Sequence, residues 1–175
     1  MNARRLAHLS LLVIWSGLGP LWATGCSLDE TTPVPSCGDR GSVLIVAQSV
    51  PGAAFVPCIE DPGSGWEATR VHVDEDGTLM RFDLGLDAKA TGDVRFTPVC
   101  EEAEGTNIES GIDGVHARLV VPAGRHYLFD GGCVGIRIDG DVGDAAVDAL
   151  IESVVLVQRT RLAADVRRTF VDAEL

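Results

Sequence analysis

The chain has 175 residues, 46% of them hydrophobic and 23% charged, with 26 acids against 14 bases and a formal net charge of −12 at pH 7. That length suits one domain with a sizeable core. So acidic a balance argues against a nucleic-acid partner and against broad electrostatic adhesion to anionic lipid.

The N-terminus carries the features of an export signal. Arg4 and Arg5 make a short positive segment, and residues 6–22 are mostly apolar around Leu11-Leu12-Val13-Ile14-Trp15. Small residues then lead into a cysteine, in the order Ala23-Thr24-Gly25-Cys26. A membrane span needs about 20 consecutive apolar residues. This run is shorter and is broken by Gly17, Gly19 and Pro20, so cleavage is expected over an uncleaved anchor.

The four residues ending at Cys26 resemble the lipobox of a bacterial lipoprotein signal peptide, although lipoboxes most often carry Leu where this chain has Ala23. The resemblance implies that residues 1–25 are removed and that Cys26, its sulfur joined to diacylglycerol (palmitate being a typical acyl chain), becomes the first residue of the mature chain. Two acyl chains hold a protein on a membrane where one does so only marginally. The expected address is therefore the outer face of the cell membrane, with an ordinary secreted protein as the alternative. Losing Arg4 and Arg5 with the signal leaves twelve bases against 26 acids, a formal charge of −14.

Setting Cys26 aside leaves Cys37, Cys58, Cys100 and Cys133. An even number of cysteines in an exported chain reads as two disulfides, whereas zinc would want close pairs with nearby histidines. Four cysteines allow three pairings. Cys37–Cys58 and Cys100–Cys133 are favoured, on the expectation that each encloses a strand and turn that bring its ends together.

Residues 26–36 read as the lipidated terminus and a tether, because they are polar, hold Pro33 and Pro35 and show no apolar periodicity. Ten extended residues reach at most about 35 Å. Residues 37–175 then form one extracytoplasmic domain. Residues 42–48, with the apolar run Val43-Leu44-Ile45-Val46-Ala47, predict a buried strand. Residues 53–59 predict a second, with Pro57 placing it at an edge. Residues 69–74 and 78–84 alternate around the turn Asp74-Glu75-Asp76-Gly77 and predict a hairpin.

Residues 92–100 predict a further strand, residues 101–114 an exposed acidic loop, and residues 116–121 another strand. Residues 127–129 and 134–138 predict a second hairpin around Asp130-Gly131-Gly132-Cys133. From Asp144, a candidate N-cap, the period becomes helical through Val147, Leu150, Ile151, Val154 and Val155. Arg159 and Arg161 fall where that helix is expected to end, and Leu162, Val166 and Phe170 continue into a second helix. Strands first and helices last predict an α+β domain, a mainly antiparallel sheet with two C-terminal helices, stapled by two disulfides.

No catalytic, cofactor or metal residue is assigned. Gly63-Ser64-Gly65 is too compact for a nucleophile elbow and reads as a turn. Of the histidines beyond the signal, His72 and His116 lie in alternating strands and His126 beside Tyr127, without the spacing of a metal pair. Asp139, Asp141, Asp144 and Asp148 fail the calcium-loop pattern and read as acids near a helix N-terminus. Asp74 and Asp76 read as turn formers beside Gly77, and the arginine-bearing helix over residues 160–171 as a solvated face.

Ala47-Gln48-Ser49-Val50-Pro51, Val56-Pro57-Cys58, Gly65-Trp66 and Phe129-Asp130-Gly131-Gly132-Cys133-Val134 resemble an uncharacterised family of small actinobacterial exported or membrane-anchored proteins. The resemblance implies one cysteine-stapled extracytoplasmic domain and supplies no site residues. The function expected is non-enzymatic binding of a ligand or an envelope protein, with no cofactor. The alternative is an envelope hydrolase with a dispersed site. A pocket with converging His and carboxylate groups would favour the enzyme, and an apolar groove the binder.

Overall fold

The computed structural model describes residues 33–173 except residues 64, 88, 102, 103, 121 and 122. The expected signal over residues 1–25 and the expected lipidation site Cys26 lie outside the described residues. The folded part begins slightly ahead of Cys37. Pro35 is fully buried, its carbonyl accepts the Ile59 amide at 2.7 Å, and Cys37 N–H donates to the Ile59 carbonyl at 3.1 Å. The last residues assigned to the tether are thus packed into the domain.

The first element is helix α1, Arg40–Ser49, where the apolar run had predicted a strand. A short apolar run fits a buried helix as well as a buried strand, and periodicity alone does not separate them. The local signal is Asp39, whose carboxylate accepts the Gly41 amide at 3.0 Å and caps the helix. The chain then forms β1, Phe55–Ile59; β2, Trp66–Asp74; β3, Gly77–Leu84; and β4, Ala90–Thr97. There follow β5, Gly105–Ile108; β6, His116–Val120; β7, Gly124–Phe129; and β8, Gly132–Gly140. β5 lies within the expected acidic loop: an exposed four-residue strand that pairs with β6 at the sheet edge.

The C-terminal part corrects the sequence reading again. Helix α2, Asp144–Ser153, stops before Val154, and Val154–Gln158 is strand β9, followed at once by helix α3, Arg159–Ala173. Gly143 rather than Asp144 is the N-cap, with Asp144 in the first turn. Along β9 burial alternates, Val154 and Leu156 inside, Val155 and Val157 half-buried. That is the strand period, and β-branched residues favour it. β9 pairs antiparallel with β1, opposing Pro57 to Leu156. The two form a separate ribbon, so Pro57 does sit on an edge strand.

Seven strands make the main antiparallel sheet, in the order β2-β3-β4-β8-β7-β6-β5. After β4 the chain crosses to the far edge and works back, so β8 closes against β4 at the centre. Both disulfides are present in the favoured pairing. Cys37–Cys58, with Cα atoms 4.9 Å apart, encloses α1 rather than a strand and turn. Cys100–Cys133, at 5.7 Å, encloses β5, β6 and β7 and pins the chain leaving β4 to the start of β8. The fold is α+β and mostly sheet, with three helices among the described residues.

One face of the sheet buries the core. Met80, Val94 and Ile136 are opposed across β3, β4 and β8, flanked by Phe96 with Val134 and by Phe82 with Ile138, all 2% exposed or less. α1, α2 and the β1–β9 ribbon join the same cluster through Val46, Leu150, Val56 and Leu156. Gly92 is the close-approach point: a Cβ there would collide with Leu150 Cδ2 and touch the Trp66 ring. Trp66 Nε1–H in turn donates to the Ala146 carbonyl at 2.8 Å, tying β2 to α2. Arg159 binds a third part of this layer, with Nε and Nη2 donating to the carbonyls of Ala53, Ala47 and Val50 at 2.6–2.9 Å. It serves the carbonyls that end α1, not the end of the preceding helix as its sequence position had predicted.

Candidate functional site

The opposite face of the sheet carries most of its charge. Strand register sets Leu79, Arg95, Gly135, His126 and Arg118 side by side across five strands, β3, β4, β8, β7 and β6. The next row sets Arg70, Arg81, Asp93 and Arg137 in line. An acidic chain thus gathers Arg70, Arg81, Arg95, Arg118 and Arg137 on one sheet face. A cleft of about 540 Å³ opens here, lined among others by Asp93, Arg95, Glu101, Arg125, His126 and Arg137.

His126 is the buried polar residue of this face, 8% exposed. It lies opposite Gly135, where a methyl group would stand 3.5 Å from ring Cδ2, in ordinary contact. The imidazole therefore rests against bare backbone. A smaller recess of about 180 Å³, lined by Arg95, Thr97, Val99, Glu101, His126, Cys133 and Gly135, adjoins it. Cys100–Cys133 fixes the strap bearing Val99 and Glu101 at this end of the sheet. Burial lowers the His126 pKa below its usual 6.5; Arg118 lowers it further, and Glu101 partly opposes them. The neutral form of the ring is therefore favoured more than in a free imidazole. Its buried Nδ1 and the buried Nε of neighbouring Arg125 have no hydrogen-bond partner among the described residues.

Two carboxylates of the cleft, Asp93 and Asp139, are engaged by arginines. Asp93 accepts Nε and Nη2 of Arg81 at 2.8 and 3.0 Å, a bidentate pair that raises the Arg81 pKa through the hydrogen bond and the charge. Arg95 reaches the same carboxylate only at 3.9 Å and keeps its side chain 66% exposed. Arg137 pairs with Asp139 at 3.1 Å, with 71% of its side chain exposed. Arg125 Nη1 donates to the Tyr127 hydroxyl at 3.3 Å, and Arg118 Nε donates to Asn107 Oδ1 at 3.1 Å.

Of the other residues singled out in the sequence, Asp139 also lines this cleft and the rest of the described ones are placed elsewhere. His72 pairs with Asp74 at 3.0 Å near the far end of the β2–β3 hairpin. Asp74 Oδ1 also accepts the amides of Asp76 and Gly77, which makes it the turn former expected. His116 is exposed on β6 and lines a different recess with Asn107 and Arg118. Asp139, Asp144 and Asp148 line a shallow recess between the sheet and α2. Among the described residues no three His, Cys, Asp or Glu side chains are placed to hold a metal ion. Ser64 lies outside the described residues. Sequence reasoning left His126 without a role, because Arg95 on β4 joins its row only through the pairing of β4 with β8.

No family model matches the chain, and no curated protein and no solved structure was found to be similar to it.

Proposed function

We propose that the protein is a lipid-anchored, extracytoplasmic domain of a bacterial cell envelope that acts by binding, through the arginine-bearing face of its sheet. The observation that carries this reading is the cleft around His126. It joins exposed guanidinium groups to a buried polar ring on a rigid platform of central strands. The anchor at Cys26 and the exported address rest on the signal-like sequence and accord with two disulfides, which persist outside the cytoplasm. The resemblance to actinobacterial membrane-anchored proteins belongs with the same reading. No helix among the described residues is long and apolar enough to cross a membrane.

The hydrolase reading has one point in its favour, since His126 shares its cleft with Asp93, Glu101 and Asp139. A working base needs an orienting partner and a nucleophile within hydrogen-bond reach. Here Asp93 and Asp139 are held by arginines, and no hydroxyl or thiol among the described residues hydrogen-bonds to the ring. Binding is the better account. The test is crosslinking and affinity capture of the lipidated protein from its own membranes, alongside Arg95→Glu. One stoichiometric species recovered with the wild type and lost with the variant supports binding at this cleft. Recovery of nothing, or of the same species from both, contradicts it.

A further inference from the structure

The cleft's chemistry specifies more than a binding surface, and the step that follows rests on the binding reading above. We propose that Arg95, Arg137 and His126 form a site for an oxyanion group, a phosphate or carboxylate borne by the ligand. Three independent features converge on it. First, Asp93 is satisfied bidentately by Arg81, so Arg95, 3.9 Å from it and two-thirds exposed, keeps most of its donor capacity for an incoming group. Second, His126 is more than nine-tenths buried and turns the Cδ2–Nε2 edge of its ring towards Gly135, and Nε2 makes no hydrogen bond among the described residues. Third, Gly135 leaves the floor between Arg95 and His126 without a side chain, where the register makes the three residues neighbours on β4, β8 and β7.

The surrounding charge fits an anion with a built-in competitor. Arg81 and Arg118 stand beside these three residues on the same face of the sheet; Asp93, Asp139 and Glu101 oppose them. Asp93 and Asp139 are paired within the sheet, whereas Glu101 is exposed on the strap held by Cys100–Cys133 and lines both the cleft and the adjoining recess. An oxyanion entering the site displaces the Glu101 carboxylate from the field of the arginines. Glu101 therefore weakens binding, and its neutralisation strengthens it. Binding also draws a proton onto His126, so affinity rises as pH falls towards the ordinary histidine range.

The experiment uses the processed, lipidated protein in a neutral detergent, titrated calorimetrically with sulfate, phosphate and acetate. Sulfate keeps one charge state between pH 5 and 8, so its pH dependence reports on the protein. Arg95→Gln is expected to weaken sulfate binding about tenfold, consistent with losing one charge-assisted contact, and Glu101→Gln to tighten it about threefold. His126→Gln should abolish the pH dependence. Both Arg95 and Glu101 are exposed, so an unchanged melting curve accompanies each variant. Acetate binding in place of sulfate assigns the group as a carboxylate; competition by phosphatidylglycerol added to the micelles assigns it as a lipid headgroup. Binding that ignores Arg95→Gln, or that weakens on Glu101→Gln, overturns the site. Failure of all three anions, with the captured species still recovered, removes the oxyanion and leaves the binding reading standing.

Discussion

Arg159 shows how one side chain can join elements that are far apart in sequence. Its guanidinium donates to three carbonyls around the end of α1, and its own amide donates to the Ala54 carbonyl at 2.9 Å. Burial lowers its pKa, but not enough to discharge a guanidinium. Removing it strands acceptors that water cannot fully reach. Arg159→Ala is expected to cost about 2–3 kcal/mol, read as a lower urea midpoint at an unchanged slope. Arg159→Lys, with a point charge in place of a planar fork, should recover only part of that loss. His126 makes the second prediction at this scale. Its folded pKa lies below 6.5, so the unfolded chain binds the proton more readily. Its contribution to stability is complete above pH 6.5, declines as pH falls and levels off below the folded pKa. Urea titrations from pH 8 to 5 should show a steeper acid loss in the wild type than in His126→Gln.

Elements are governed here by close approach and by pairing partners. Gly92 lets α2 and Trp66 settle onto the central strands, and a methyl there meets Leu150. Gly92→Ala should destabilise by about 1–3 kcal/mol through overpacking, whereas Leu150→Ala in the same background should lose less than it does alone. A double-mutant cycle by urea unfolding measures that coupling. The hairpin β2–β3 was legible because Asp74 and Gly77 fix its turn and the flanking residues alternate. α1 was not, since five apolar residues in succession carry no period. β9 was hidden for the opposite reason. Val154 and Val155 prolong the helical spacing of α2 by coincidence, and only β1, about a hundred residues earlier, selects the strand. Local pattern sufficed where the partner was the next segment of chain, and failed where it was distant.

At the level of the whole molecule, topology makes the site. The return of β8 to pair with β4 places Arg95, Gly135 and His126 in one row, although they are spread over about forty residues. The sequence displayed each of them separately but not the row. The cysteine count, in contrast, was readable, because an even set without close pairs or neighbouring histidines has few chemical uses besides disulfides. The pairing came out as favoured for a reason the fold does not support, since neither disulfide merely closes a strand and turn. Cys37→Ala with Cys58→Ala should lower stability by about 3 kcal/mol, given the 21-residue separation, as measured by thermal or urea unfolding. The same loss should follow reduction of that bond alone.

The proposed binding face belongs to a chain proposed to be held on a membrane, and the proposed anchor at Cys26 is the premise on which the account depends. Metabolic labelling with an alkyne fatty acid, followed by membrane fractionation, tests it most directly. The account predicts that the wild type is labelled and sediments with membranes, while Cys26→Ala is unlabelled and appears in the soluble exported fraction or as an unprocessed precursor. Equal labelling of the Cys26→Ala protein would contradict it.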